Sequence, residues 1–355
     1  IVYTSGTTGR SKGAQLSHGN LWANVQVLQR AWAWRDGAAT GPTSGRDVLV
    51  HALPLFHVHG LFVALHGALR AGARMLWFHR FDPVATIERL REATVFMGVP
   101  TLYVRMLGVA GLTRDHCASM RLFVSGSAPL LPATFATWQE RTGHTILERY
   151  GMSETVMLTS NPYRPESARR PGTVGRALPG VGVRVHEAAG HACAPGAIGN
   201  VEVSGPSVFS GYWRMPEKTA EDFTPDGWFR TGDVGQLDAD GVLTIVGRSK
   251  DLVITGGFNV YPAEIEGRIN ELAGVAESAV IGVPHPDFGE AVVAVVVPRA
   301  GVLLDPSALQ QALKTTIAGF KVPKHVCLAP ALPRNAMGKV EKNRLRVEFS
   351  RLFEG

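Results

Sequence analysis

Cysteine is scarce: Cys117, Cys193 and Cys327 are the three in 355 residues, scattered and without CxxC spacing. That argues against a disulfide framework or a cysteine zinc site, and for a reducing, cytoplasmic setting. No apolar run reaches the ~20 residues of a membrane-spanning helix. Ala52–Leu69 comes nearest and is interrupted by His57, His59 and His66, while Val95–Leu112 is broken by Arg105. Both are read as buried core. Dense Lys/Arg runs are missing, so nucleic acid is not an expected partner. No protein nucleophile is obvious. An initiator Met is also missing. The chain opens Ile1-Val2-Tyr3-Thr4, as if in mid-strand, and the expectation is a fragment of a longer protein.

What is present is ordinary globular material, 45% hydrophobic and 19% charged, with mean hydropathy +0.05. This is too apolar for disorder. Lys+Arg 36 against Asp+Glu 30 leaves +6, which suits an anionic substrate. Short apolar runs alternate with helical segments over residues 1–170, predicting an α/β layered region. Helices are expected at Leu21–Trp34 with Asn20 as cap, after Asp82-Pro83, and at Pro132–Arg141. Residues 171–249 carry short β-rich runs split by Gly and Pro, read as a distorted barrel. Residues 250–355 read as a small α+β domain. The expected fold class is therefore α/β: a large N-terminal domain (1–249) and a small mobile C-terminal one.

The most informative segment is Thr4-Ser5-Gly6-Thr7-Thr8-Gly9-Arg10-Ser11-Lys12-Gly13. Hydroxyls and glycines after a strand let backbone N–H groups converge on a polyphosphate, and Lys12 adds charge. The spacing is not that of a Walker A loop.

Tyr3–Gly13 resembles the signature of the adenylate-forming superfamily: acyl-CoA synthetases, peptide-synthetase adenylation domains and luciferase. Leu53-Pro54-Leu55-Phe56-His57, Ser125-Gly126-Ser127-Ala128-Pro129, Tyr150-Gly151-Met152-Ser153-Glu154-Thr155, Phe229–Asp233, Gly247–Asp251 and Pro333–Lys339 resemble its further motifs, in the family's order. The resemblance implies a two-step reaction, a carboxylate attacking ATP to give acyl-AMP and coenzyme A then displacing AMP. It also implies a substantial segment upstream of Ile1.

Site roles follow from the resemblance, position by position. Thr4, Ser5, Gly6, Thr7, Thr8, Gly9 and Lys12 would cradle phosphates. Gly126, Ser127, Ala128, Tyr150, Gly151 and Thr155 would line the nucleotide. Asp233 and Arg248 would hold the ribose. Glu154, with Thr4, would bind Mg²⁺, a hard cation suited to oxygen ligands. Lys339 would be the catalytic lysine, Lys250 the hinge, and Gly256 and Gly257 the passage for coenzyme A. Read alone, Lys339 would be one more cation of a basic tail with Lys342, Arg344 and Arg346.

Arg149, Ser125 and His57 would face the acyl substrate. His59 reads as structural, at a helix start, and a metal role for the HxH pair lacks supporting ligands. A buried Arg without a partner is costly, so Arg149 should meet an anion. That predicts a dicarboxylate, unless Arg149 pairs with Glu148 or another protein carboxylate. The neighbouring wording is similar to malonyl-CoA synthetases, whose acids are malonate and methylmalonate. The alternatives are a short or medium monocarboxylate as substrate, or an inactive nucleotide-binding remnant.

Overall fold

A computed structural model describes residues 1–4, 12–37, 45–187, 190–335 and 339–354. The chain divides into two compact units, Ile1–Thr231 with Gln236–Ile245, and Gly232–Gly235 with Val246–Gly355.

The first unit opens with an antiparallel pair, β1 (Val2–Thr4) and β2 (Lys12–Ala14), followed by α1 (His18–Ala31). Ser17, not Asn20, caps α1: its Oγ accepts from Asn20 N at 3.0 Å, while the Asn20 side chain returns a bond to Ser17 N. Asn20 is thus the third helical residue of a capping box, a role that the cap preference of Asn alone does not separate from capping. Next come β3 (Val48–His51), α2 (His66–Ala71), β4 (Arg74–Trp77), α3 (Pro83–Leu90), β5 (Val95–Gly98), α4 (Pro100–Leu107), β6 (Leu122–Ser125), α5 (Pro132–Thr142) and β7 (Ile146–Tyr150). Asp82 caps α3 as expected, accepting from Ala85 N, with Pro83 in the first turn. Strands β4-β3-β5-β6-β7 are parallel neighbours. β5 and β6 are buried at every residue, which is why they read as unbroken apolar runs.

After β7 the pairing turns antiparallel through β8 (Thr159–Ser160) and β9 (Gly175–Ala177). Strands β10 (Gly182–His186) and β11 (Ile198–Ser204), helix α6 (Pro216–Asp222), β12 (Phe229–Leu237) and β13 (Val242–Arg248) follow. The sheet path runs β10-β11-β12-β13-β9-β8-β7-β6-β5-β3-β4. Among the described residues this path has two ends and no closed barrel, which corrects the barrel expectation. Short strands split by Gly and Pro specify turns. Closure needs the first and last strands to pair with a matched stagger, and no local pattern encodes that.

A buried ion pair sets the edge of the parallel strands. Arg121 donates to Asp47 through Nε (2.8 Å) and Nη2 (2.5 Å), and through Nη1 to Trp32 O. Burial raises the Asp47 carboxyl, but Arg121, Arg35 N–H and the Thr94 hydroxyl outweigh it and hold the group below its usual range. The pair ties the entries of β3 and β6, with Thr94 before β5. Their carboxyl ends then open together, the usual place for a site in such a sheet.

The second unit is a sheet of β14 (Val253–Thr255), β15 (Phe258–Val260), β16 (Val275–His285), β17 (Gly289–Pro298) and β18 (His325–Leu328), in order β15-β14-β17-β16 with β18 parallel to β17. Helices α7 (Pro262–Asn270), α8 (Pro306–Lys314) and α9 (Lys342–Glu348) complete it. Alternate residues of β16 and β17 fill two separate cores. Val280, Val292, Ala294 and Val296 pack with Ile265 and Leu313, and Ile281, Val293 and Val295 pack with Leu345. Both faces are covered, which explains the continuous run Ala291–Val297.

Candidate active site

Three loops leave the carboxyl ends of β3, β6 and β7. From β7 comes Arg149, 2% exposed, whose Nε and Nη2 donors have no hydrogen-bond partner. Adjacent strand residues point to opposite faces, and no ion pair within 4 Å joins Arg149 to Glu148. The intramolecular pairing that would have neutralised the dicarboxylate argument is therefore not made. After β6, Gly126 gives the guanidinium its place: a Cβ there would lie 2.5 Å from Arg149 Cζ. Ser127 follows with φ +70, a left-handed backbone uncommon for a residue other than glycine. Ser125 is fully buried with an unpartnered Oγ. Ala128 is exposed at the turn.

From β3 comes His59, 1% exposed, its Nε2 unpartnered and its Nδ1 3.5 Å from Ser127 Oγ. Burial first, then the charge of Arg149, pushes His59 well below its ordinary pKa. It is neutral at physiological pH. His57, half-buried, accepts the His59 N–H at Nδ1 (3.2 Å). His59 does open a helical segment, the π-helical turn His59–Leu65. Its ring also stands near Arg149, a placement that the structural reading of His59 did not include. Burial also draws the Arg149 guanidinium down, to about 9, which leaves it charged at neutral pH. This cluster is thus a cation with unused donors and a neutral imidazole near it.

Glu148 lies on the other face of β7, where Oε1 accepts from Leu130 N at 3.0 Å and Oε2 has no partner. Burial raises its carboxyl to about 8. A raised folded-state value means stability that is complete below the unfolded carboxyl range and lost as pH rises through about 8. Glu148→Gln, which can still accept from Leu130, should flatten the fall in denaturation midpoint between pH 5 and 9, roughly the window of that titration. Urea melts across that range check this, and an unchanged slope refutes it.

At the end of β7, Gly151 is required by space, since a Cβ would meet Val156 O at 1.9 Å. Tyr150 is half-buried, and Thr155 is fully buried, with its Oγ1 accepting from Met152 N. Glu154 is buried, and its Oε1 accepts from Tyr212 OH at 2.9 Å. The same hydroxyl accepts from Lys12 Nζ at 2.9 Å. Thr4 pairs across the β1–β2 ladder with Lys12. Ser5, Gly6, Thr7, Thr8 and Gly9 lie outside the described residues. No group of three His, Cys, Asp or Glu side chains that could cage a metal occurs among the described residues. One carboxylate sharing a cation with phosphates is the usual Mg²⁺ arrangement, and Glu154 fits it.

In the second unit, Arg248 Nε meets Asp233 Oδ1 at 3.0 Å, so the two expected ribose residues do come together. Lys250 sits in the 3₁₀ turn Ser249–Asp251. Gly256 and Gly257, φ +56 and +82, form the two-residue loop between β14 and β15, and a Cβ on Gly257 would meet open space. Such hairpin loops need positive φ at both positions. Lys339 is exposed, and its N–H donates to Asn335 Oδ1 at 3.0 Å. The neighbouring cations are anchored: Lys342 pairs with Glu266 and Arg346 with Asp251.

The model for AMP-binding enzymes matches residues 1–213, and that for their C-terminal domain matches residues 264–339. The chain belongs to the AMP-binding enzyme family. Among family members, a malonate–CoA ligase of Arabidopsis thaliana is 38% identical over 98% of this chain and 60% of its own length. The human mitochondrial malonate–CoA ligase is 38% identical over 98% of this chain and 65% of its own. The crystal structure of ATP-bound MatB from Rhodopseudomonas palustris is 52% identical, with TM-score 0.93 over 99% of this chain and 68% of that one. The chain thus spans about three fifths of the first curated relatives' length. For an AMP-binding enzyme the α/β layering with a smaller C-terminal sheet unit is the family's fold, as expected. No helix among the described residues is long and apolar enough to cross a membrane.

Proposed function

We propose that this AMP-binding enzyme is an ATP-dependent acid–CoA ligase acting on malonate or methylmalonate. One observation carries the choice of acid: a buried, charged Arg149 with unused donors, with His59 near it and Gly126 leaving room for its guanidinium. Removing a guanidinium from water without a partner is expensive, and a substrate carboxylate arriving as a two-bond fork repays it. The other carboxylate of the acid attacks the α-phosphorus of ATP, forming the acyl phosphate bond and releasing pyrophosphate. The coenzyme A thiol then loses its proton, adds to the acyl carbonyl and expels AMP. Neither step needs a protein nucleophile, only alignment and charge neutralisation. Arg149 aligns the acid, the Lys12 end of the phosphate loop and Lys339 supply positive charge, and Asp233 with Arg248 holds the ribose. Glu154 would hold Mg²⁺, which when bound neutralises phosphate charge. Lys250 is the proposed hinge, and the Gly256–Gly257 turn the passage for the thiol arm. A cytoplasmic or other reducing compartment suits the three free cysteines.

A monocarboxylate is the rival reading, since an indoleacetate–CoA ligase of Aromatoleum aromaticum is also 38% identical. Pyrophosphate release measured in the intact protein separates the two. Malonate should exceed acetate, butyrate and indoleacetate by at least about a hundredfold in kcat/KM, the scale of one buried charge pair. Preference for a monocarboxylate ends the dicarboxylate reading. Nucleotide binding with no turnover on any acid favours the inactive remnant.

A further inference from the structure

The segment Phe209–Trp213 belongs to none of the motifs that carried the sequence argument, yet it touches two of them. Trp213 N donates to Gly13 O (2.7 Å), Gln15 N to Gly211 O (2.9 Å) and Ser210 N to Gln15 O (3.1 Å), which lays the segment along β2. On its other side Phe209 N donates to Glu154 O at 2.8 Å. Between these backbone anchors stands Tyr212, 3% exposed, its own N–H held by Thr219 Oγ1.

A phenol has one proton to give. Tyr212 gives it to Glu154 Oε1, so it must receive from Lys12, whose ammonium can only donate. The chain therefore has a direction: Lys12 to Tyr212 to Glu154, both links 2.9 Å. Asp222, 3.6 Å from Lys12 Nζ, faces the same hydroxyl.

We infer that Tyr212 is a positioning residue that locks the carboxylate at Glu154 to the ammonium of Lys12, so that these two side chains are set as one unit. The inference rests on the nucleotide-and-metal reading above. It predicts that Tyr212→Phe, which keeps the ring against Lys12 and deletes only the hydroxyl, weakens Mn²⁺ binding in the presence of a non-hydrolysable ATP analogue. Titration followed by electron paramagnetic resonance should show a loss of about tenfold, the scale of one hydrogen bond to a charged group. The malonate KM and the thioester step from supplied acyl-AMP should stay unchanged, whereas a merely structural defect would move both.

A double-mutant cycle supplies the second measurement. Lys12→Met should weaken Mn²⁺ retention in the parent, and by clearly less when added to Tyr212→Phe. Mn²⁺ affinity within twofold of the parent, or strictly additive losses, overturns the inference alone. If the parent itself binds no Mn²⁺ with the analogue, the metal reading falls, and the inference with it.

Discussion

Replacing Arg149 by methionine should abolish use of malonate and, at the same time, stabilise the unliganded protein. The two effects have one cause. In the free protein the guanidinium is buried with Nε and Nη2 unpartnered, a desolvation cost with nothing bonded to repay it. Exchanging buried charge for an apolar side chain of similar length typically gains ~1–4 kcal/mol. Thermal melting without ligand should register that gain. With malonate present the sign reverses, because the substrate carboxylate now lacks its partner. Breaking such a pair costs ~3–5 kcal/mol, about two to three and a half orders of magnitude in kcat/KM. Arg149→Lys should not restore activity, since an ammonium cannot make the planar fork. A variant that melts lower than the parent, or that turns over malonate within tenfold of it, would refute the assignment of Arg149 to substrate.

Removing the ammonium of Lys339 has the next largest expected effect. Lys339→Ala should lower acyl-adenylate formation by ~10²–10³, the usual cost of losing one charge-stabilising group in a transition state. Thioester formation from supplied acyl-AMP should be nearly untouched. The local structure makes the test clean. Lys339 is exposed, its backbone is fixed by Asn335, and the nearby cations Lys342 and Arg346 are engaged with Glu266 and Asp251. Deleting the side chain therefore disturbs no core packing. Equal loss in both half-reactions, measured by pyrophosphate release and by stopped-flow thioester formation, would show that the lysine is not specific to adenylation.

Much of the layout is legible in the sequence for identifiable reasons. β5 and β6 are buried on both faces, so they appear as apolar runs, and Asp82-Pro83 marks the start of α3 with cap and first-turn chemistry together. The barrel expectation went astray because turn residues report where strands end, not which strand each one meets. The Ser17–Asn20 box was misread for a related reason, as two residues with the same cap preference sit three apart.

By itself the sequence determined the family, the order of its motifs and the presence of an Arg before the Tyr150-Gly151 turn, because these depend on residue types at fixed spacing. Only the tertiary structure decided that Arg149 makes no ion pair with Glu148, that the His59 ring stands near Arg149, and that Tyr212 joins Lys12 to Glu154. Those are facts about which side of a strand a residue faces and which distant segments lie alongside. Lys12 and Tyr212 stand 200 positions apart in the chain, and only folding brings that hydroxyl between the lysine and the carboxylate.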